Sequence, residues 1–104
     1  MKKRILSAII AAAGGLAAAL QGVDAALLGL EVRDSLPELL TRLQGQDGEA
    51  TGREAAFIVA ALAEAPGPVP PTVLEAAAAL RASLEAAAPD LLDVWRREGG
   101  RLGV

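Results

Sequence analysis

Between Ile5 and Val23 this chain carries no ionisable side chain, and the run follows directly on Lys2-Lys3-Arg4. Cations ahead of an apolar stretch are how a bacterial chain addresses a membrane, because the charges stay on the cytoplasmic side while the apolar segment partitions into lipid. A helix needs about 20 apolar residues to cross roughly 30 Å of hydrocarbon. Residues 5–20 supply 16, and accepting Gln21 and Gly22 extends the span to Val23, nineteen residues, with Asp24 at the far interface. Ala and Gly dominate the run and add little transfer free energy, so insertion is marginal by length and composition together. On this reading Lys2, Lys3 and Arg4 set the topology, the N-terminus is cytoplasmic and the lipid bilayer is a partner.

Two other readings fit the same residues. As a secretory signal, Met1 to Arg4 is the charged region, residues 5–20 the apolar region and Val23-Asp24-Ala25 the cleavage site, which leaves a secreted helical module beginning at Ala26. As a buried helix of a larger assembly, a virion or a secretion machine, the segment offers Ile5, Ile9, Ala12, Leu16, Leu20, Val23, Leu27 and Leu30, whose steps of three and four match a packed helical seam. Its small residues form two ridges at fourfold spacing, Ser7, Ala11, Gly15 and Ala19, and Gly14, Ala18 and Gly22. Such ridges let helix backbones approach closely, so they are the candidates for self-association into a homo-oligomer.

Chemistry is sparse elsewhere. Among 104 residues there is no cysteine and no histidine, which removes disulfides, thiol nucleophiles, imidazole bases and the commonest metal ligand. No phosphate-cradling glycine loop, zinc motif or calcium loop occurs. The sequence therefore predicts a protein that is not an enzyme, with no catalytic residue, no cofactor, no metal and no small-molecule substrate. The net charge of −3 divides into +3 over residues 1–23 and −6 over residues 24–104. Phosphate binding needs a cationic stripe, and the only basic clusters are Lys2-Lys3-Arg4 and Arg96-Arg97, so nucleic acid is not an expected partner.

Past Val32 three segments of the form Ser/Thr-x-x-Glu predict three capped helices. Ser35-Leu36-Pro37-Glu38 opens the first, with Leu36, Leu39, Leu40 and Leu43 as its apolar stripe, Pro37 in its first turn and Gly45 at its end. After a polar loop over residues 46–50, Thr51-Gly52-Arg53-Glu54 opens the second, in which Phe57, Ile58, Ala61, Leu62 and Ala65 share a face until Pro66. Pro66-Gly67-Pro68-Val69-Pro70-Pro71 is a stiff connector, since proline fixes its own backbone angle and lacks a donor. Thr72-Val73-Leu74-Glu75 opens the third, whose face is Val73, Ala76, Ala77, Leu80, Leu84 and Ala87. Pro89 breaks it, and Asp90 caps a last short helix with Leu91, Leu92, Val94 and Trp95. The glutamates at the fourth positions, Glu38, Glu54 and Glu75, are explained by capping without a catalytic role. No segment alternates as a strand does, so the expected fold class is all-α: an N-terminal Ala/Gly-rich apolar helix in residues 1–30, a small domain of three to four short helices in 31–98 with its connector at 66–71, and a flexible tail over 99–104. Phe57, Ile58 and Trp95 are the candidates for a partner interface.

A basic start, one marginal apolar helix and a small helical tail containing Thr51-Gly52-Arg53-Glu54-Ala55-Ala56, then a helix, a short loop and a second helix over residues 72–88, resembles phage holins with a single N-terminal span. The resemblance covers most of the chain. It implies a membrane protein that self-associates and permeabilises, with Ser7, Ala11, Gly15 and Ala19 supplying the helix contact and no catalytic residues. The expected function is thus a non-enzymatic, self-associating helical protein anchored in a membrane, with a structural subunit of an assembly or a secreted module as alternatives.

Overall fold

Apolar residues at helical spacing dominate every long segment of this chain, and the fold they give is all-helical. The computed structural model describes residues 2–62 and 65–93, and no strand occurs among them. Five α-helices follow one another: α1 (Lys2–Gln21), α2 (Ala25–Leu28), α3 (Leu30–Gly45), α4 (Gly48–Leu62) and α5 (Pro71–Ala87), with a 3-10 turn at Pro89–Leu91. They pack into a body of 39 × 25 × 20 Å.

Helix α1 buries Ile9, Ala13, Leu16, Ala17 and Leu20, one stripe at steps of three and four. This stripe packs against α5 and α4 and, over a smaller area, α3. The stripe stops where the helix does. Gly22 and Val23 donate their N–H groups to the carbonyls of Ala19 and Leu20, and the Asp24 carboxylate then accepts the N–H of Ala26 at 3.0 Å, which starts α2. The expected seam through Val23, Leu27 and Leu30 is therefore interrupted: the break changes the helical phase, and Leu27 and Leu30 emerge 39% and 66% exposed.

None of the three expected capping boxes opens a helix. Helix α3 begins five residues ahead of Ser35, after Gly29 at φ 91°, because Val32 is a core residue and its burial draws the helix upstream. Pro37 consequently lies inside α3 instead of in its first turn, and its missing N–H leaves the Arg33 carbonyl without the usual helical donor. The Thr41 hydroxyl donates back to the Pro37 carbonyl at 3.1 Å. Helix α3 ends at Gly45, as its sequence predicts, with Gln46 in the left-handed region at φ 54°. Asp47 then caps α4, its carboxylate accepting the Ala50 N–H at 3.1 Å, so Thr51 sits one turn inside the helix. A connection of only Gln46 and Asp47 makes α3 and α4 antiparallel neighbours. At α5 the preceding residue is Pro70, whose carbonyl accepts from Val73 and Leu74, and Thr72 is already helical.

Helix α4 is the centre of the bundle. It buries Gly48, Thr51, Gly52, Ala55, Ala56, Ile58, Val59, Ala60, Ala61 and Leu62, most of its circumference. The small residues let its neighbours come close: a Cβ on Gly52 would lie 3.0 Å from Leu91 Cδ1, 3.1 Å from Ile9 Cγ2 and 3.5 Å from Leu84 Cδ2. Gly52 is thus where α1, α5 and the 3-10 turn converge on α4. The turn itself starts after Ala88, not from an Asp90 cap, and buries Leu91 and Leu92 beneath the bundle. Helix α5 buries Val73, Ala77, Leu80 and Leu84, with Ala76 and Ala87 partly buried, the face its sequence predicts. The connector is pinned across α2: Gly67 donates its N–H to the Leu27 carbonyl, and a Cβ there would lie 2.7 Å from Leu27 Cδ2.

Candidate functional site

The outward side of α1 is unlike that of the other long helices. With the core stripe turned inward, Ser7, Ala8, Ala11, Gly15 and Ala18 are exposed, as is Gly22 just past the helix end, and among the described residues nothing lies within 4 Å of a Cβ built at Gly14 or Gly15. No charge interrupts this face from Ser7 to Gly22. Helix α3 turns Glu31, Arg33, Asp34, Glu38 and Arg42 outward, α4 turns Glu49 and Arg53, and α5 turns Glu75 and Glu85. Ion pairs one helical turn apart tie Glu38 to Arg42 at 2.8 Å, Glu49 to Arg53 at 3.0 Å and Glu85 to Arg81 at 3.1 Å. Helix α5 also exposes Ala79, Ala82 and Ala86, but interleaved with those glutamates.

The two small-residue ridges fall on this outward side in part. Ser7, Ala11 and Gly15 are exposed and Ala19 is half-buried; Ala18 and Gly22 are exposed and Gly14 is half-buried. The continuous outward line runs Ser7, Ala11, Gly15, Ala18 and Gly22, drawn from both ridges, because a helix of 3.6 residues per turn drifts away from a strict fourfold step. Lys2, Lys3 and Arg4 form the first turn of α1. Ile58 is fully buried, whereas Phe57 is 37% exposed on the solvent side of α4. Trp95, Arg96, Arg97 and the tail over 99–104 lie outside the described residues.

Among the described residues the surface holds two concavities of note. One, of about 540 Å³, lies along α3 and α4 and is lined by Arg42, Asp47, Glu49, Arg53, Glu54 and Phe57, with Ala50 between them. Burial pushes the Glu54 carboxyl above its ordinary value of 4.5, the Glu38 carboxylate adds to the rise, and the Arg42 guanidinium opposes it. A smaller one, of about 390 Å³, lies beside Leu30 and Pro66 at the α2–α3 junction. Neither has a signal in the sequence; the first depends on two helices meeting at the two-residue connection Gln46-Asp47, where the sequence predicts a loop over residues 46–50.

Among the described residues no group of three or more carboxylates is placed to hold a metal ion, and no helix is long and apolar enough to cross a membrane. No family model, curated protein or solved structure gives a significant match to this chain.

Proposed function

We propose that this chain is a non-enzymatic structural subunit that self-associates through the outward face of α1, burying that helix between its own core and a second copy. The observation that carries the reading is the charge-free line of Ser7, Ala11, Gly15, Ala18 and Gly22 on an exposed surface whose other long helices all carry charge. An uncharged face on an otherwise charged body marks an interaction surface. Steps of four, four, three and four keep these positions facing one partner helix, and side chains no larger than serine allow the axes to approach to about 8 Å. Absence of imidazole and thiol agrees with an assembling rather than a catalysing role. The adjoining Lys2-Lys3-Arg4 favours a second reading, in which the same face lies on an anionic membrane and the cations hold it there.

Sedimentation equilibrium of the full chain separates these. Self-association predicts a mass that rises with concentration above the 10.5 kDa monomer. The double variant Ala11→Glu, Ala18→Glu should stay at the monomer mass while keeping wild-type helical circular dichroism, because both positions are exposed in the monomer. A wild type that remains monomeric at millimolar concentration overturns self-association. If that monomer floats with phosphatidylglycerol vesicles and the double variant does not, the face serves lipid instead.

A further inference from the structure

The concavity along α3 and α4 has a charge balance that selects its occupant. Its two cations are engaged by carboxylates of their own helices, Arg42 by Glu38 at 2.8 Å and Arg53 by Glu49 at 3.0 Å. Removing those pairs leaves Asp47 and Glu54. Asp47 is committed in part as the cap of α4, where it accepts the Ala50 N–H at 3.1 Å. Glu54 has no hydrogen bond or ion pair among the described residues and is only partly exposed. One helical turn on stands Phe57, a 37% exposed ring in the same concavity. A half-buried carboxylate in the same concavity as a partly exposed aromatic ring is matched by a group with a cationic head and an apolar stem.

We infer that this concavity docks an arginine or lysine side chain presented by a peptide segment of a partner protein, the Glu54 carboxylate taking the charged head and the Phe57 ring the alkyl stem. Anionic occupants meet a surplus of carboxylates, since the arginines are already paired. A bare divalent cation would need six or more oxygen ligands, and the groups here are spread over two helices without such a cluster. The raised pKa of Glu54 fits the same picture, because an incoming cation relieves the cost that burial and Glu38 impose on the charged form. The docking site is separate from the α1 face, so it stands or falls independently of self-association.

The test is a titration of the full-length ¹⁵N-labelled chain with a capped seven-residue peptide of alanine and leucine carrying one central arginine, followed by amide chemical shifts. Saturable shifts are expected at Ala50, Arg53, Glu54 and Phe57. The same peptide with citrulline in place of arginine keeps the shape, loses the charge and should bind about tenfold more weakly. Glu54→Gln and Phe57→Ala should each weaken the arginine peptide about fivefold, while Glu75→Gln, an acid on α5, leaves it unchanged. The inference is overturned if no shift occurs up to the solubility limit, if citrulline binds as well as arginine, if the shifts spread equally over Glu31, Asp34, Glu75 and Glu85, or if both concavity variants bind like wild type.

Discussion

Replacing Thr51 by valine should make this protein more stable. Thr51 is fully buried, and its hydroxyl is without a hydrogen-bond partner among the described residues. Threonines in helices often donate back to the carbonyl four residues earlier, and Thr41 does so with Pro37. At Thr51 the corresponding carbonyl, that of Asp47, receives the Thr51 backbone N–H at 2.8 Å, and the hydroxyl makes no second bond to it. A buried hydroxyl left unpaired costs about 1–3 kcal/mol relative to its hydrated state. Valine puts a methyl in its place with nearly the same shape and nearly the same helix propensity, so most of that cost is recovered. For a domain of this size each kcal/mol moves the melting temperature by about 4–8 °C, and a gain of at least that step is expected. Thr51→Ser keeps the hydroxyl and deletes the methyl, and should lose about 0.5–1.5 kcal/mol. Urea unfolding at one fixed protein concentration reads both, provided the m-value is unchanged and self-association is held constant. If valine lowers the midpoint as serine does, the hydroxyl has a partner such as an ordered water, and the reasoning fails.

Two further perturbations probe the packing and the concavity. Gly52→Val forces a branched side chain into a space where even the first carbon meets Leu91 and Ile9 at 3.0 and 3.1 Å. It should destabilise by about 1–3 kcal/mol in the same urea assay, and an unchanged midpoint would show that α1 and the 3-10 turn can retreat from α4. Glu54→Gln should stabilise slightly at pH 7. Because burial and Glu38 raise the folded pKa above 4.5, the native state binds a proton more tightly than the unfolded chain. Wild-type stability is therefore impaired above the raised pKa, and the impairment disappears as pH falls below 4.5. Melting curves of both proteins should diverge at neutral pH and meet in acid; a glutamine variant less stable at pH 7 contradicts the sign.

Much of the fold was legible because helical periodicity is a property of sequence alone. The buried face of α5 follows its apolar spacing, as do Ile9, Leu16 and Leu20 in α1, where Ala12 is half-buried and the Ile5 side chain lies outside the described residues; Gly45 ends α3 where its position predicts. Helix beginnings were misread for a physical reason: a Ser/Thr-x-x-Glu segment can cap only if the chain ahead of it is not helical. Val32 and Gly48 are buried and lie ahead of Ser35 and Thr51, so packing extended α3 and α4 past their apparent caps. The choice of Asp47 over Thr51 shows the limit, since both residues are competent N-caps and only the tight α3–α4 connection selects between them. Phe57 and Ile58 cannot share a helix face because one residue turns the helix by 100°, and the core took Ile58. The outward line on α1 was half legible: each ridge contributed members, but which side faced the core depended on helices distant in sequence.

The same small residues serve opposite ends on the two helices that matter most. In α4, Gly52, Ala55, Ala56, Ala60 and Ala61 are buried and let α4 be enclosed on most of its circumference. In α1, alanine and glycine of similar size stand on the outside, where no neighbour among the described residues needs the space. Packing among the described residues accounts for the first set and leaves the second unexplained, since exposed helix positions accept Glu, Lys or Arg at a cost of only about a few tenths of a kcal/mol in helix propensity against alanine and with a gain in solubility. Glycine at exposed positions 15 and 22 is costlier still, by about 1 kcal/mol each relative to alanine in a helix interior, although Gly22 lies just past the end of α1 and so escapes most of that cost. Gly15 does not escape it. A mid-helix glycine with open space above its Cα among the described residues is destabilising in the monomer, and a close-packed second helix over that position, as proposed above, would offset the loss.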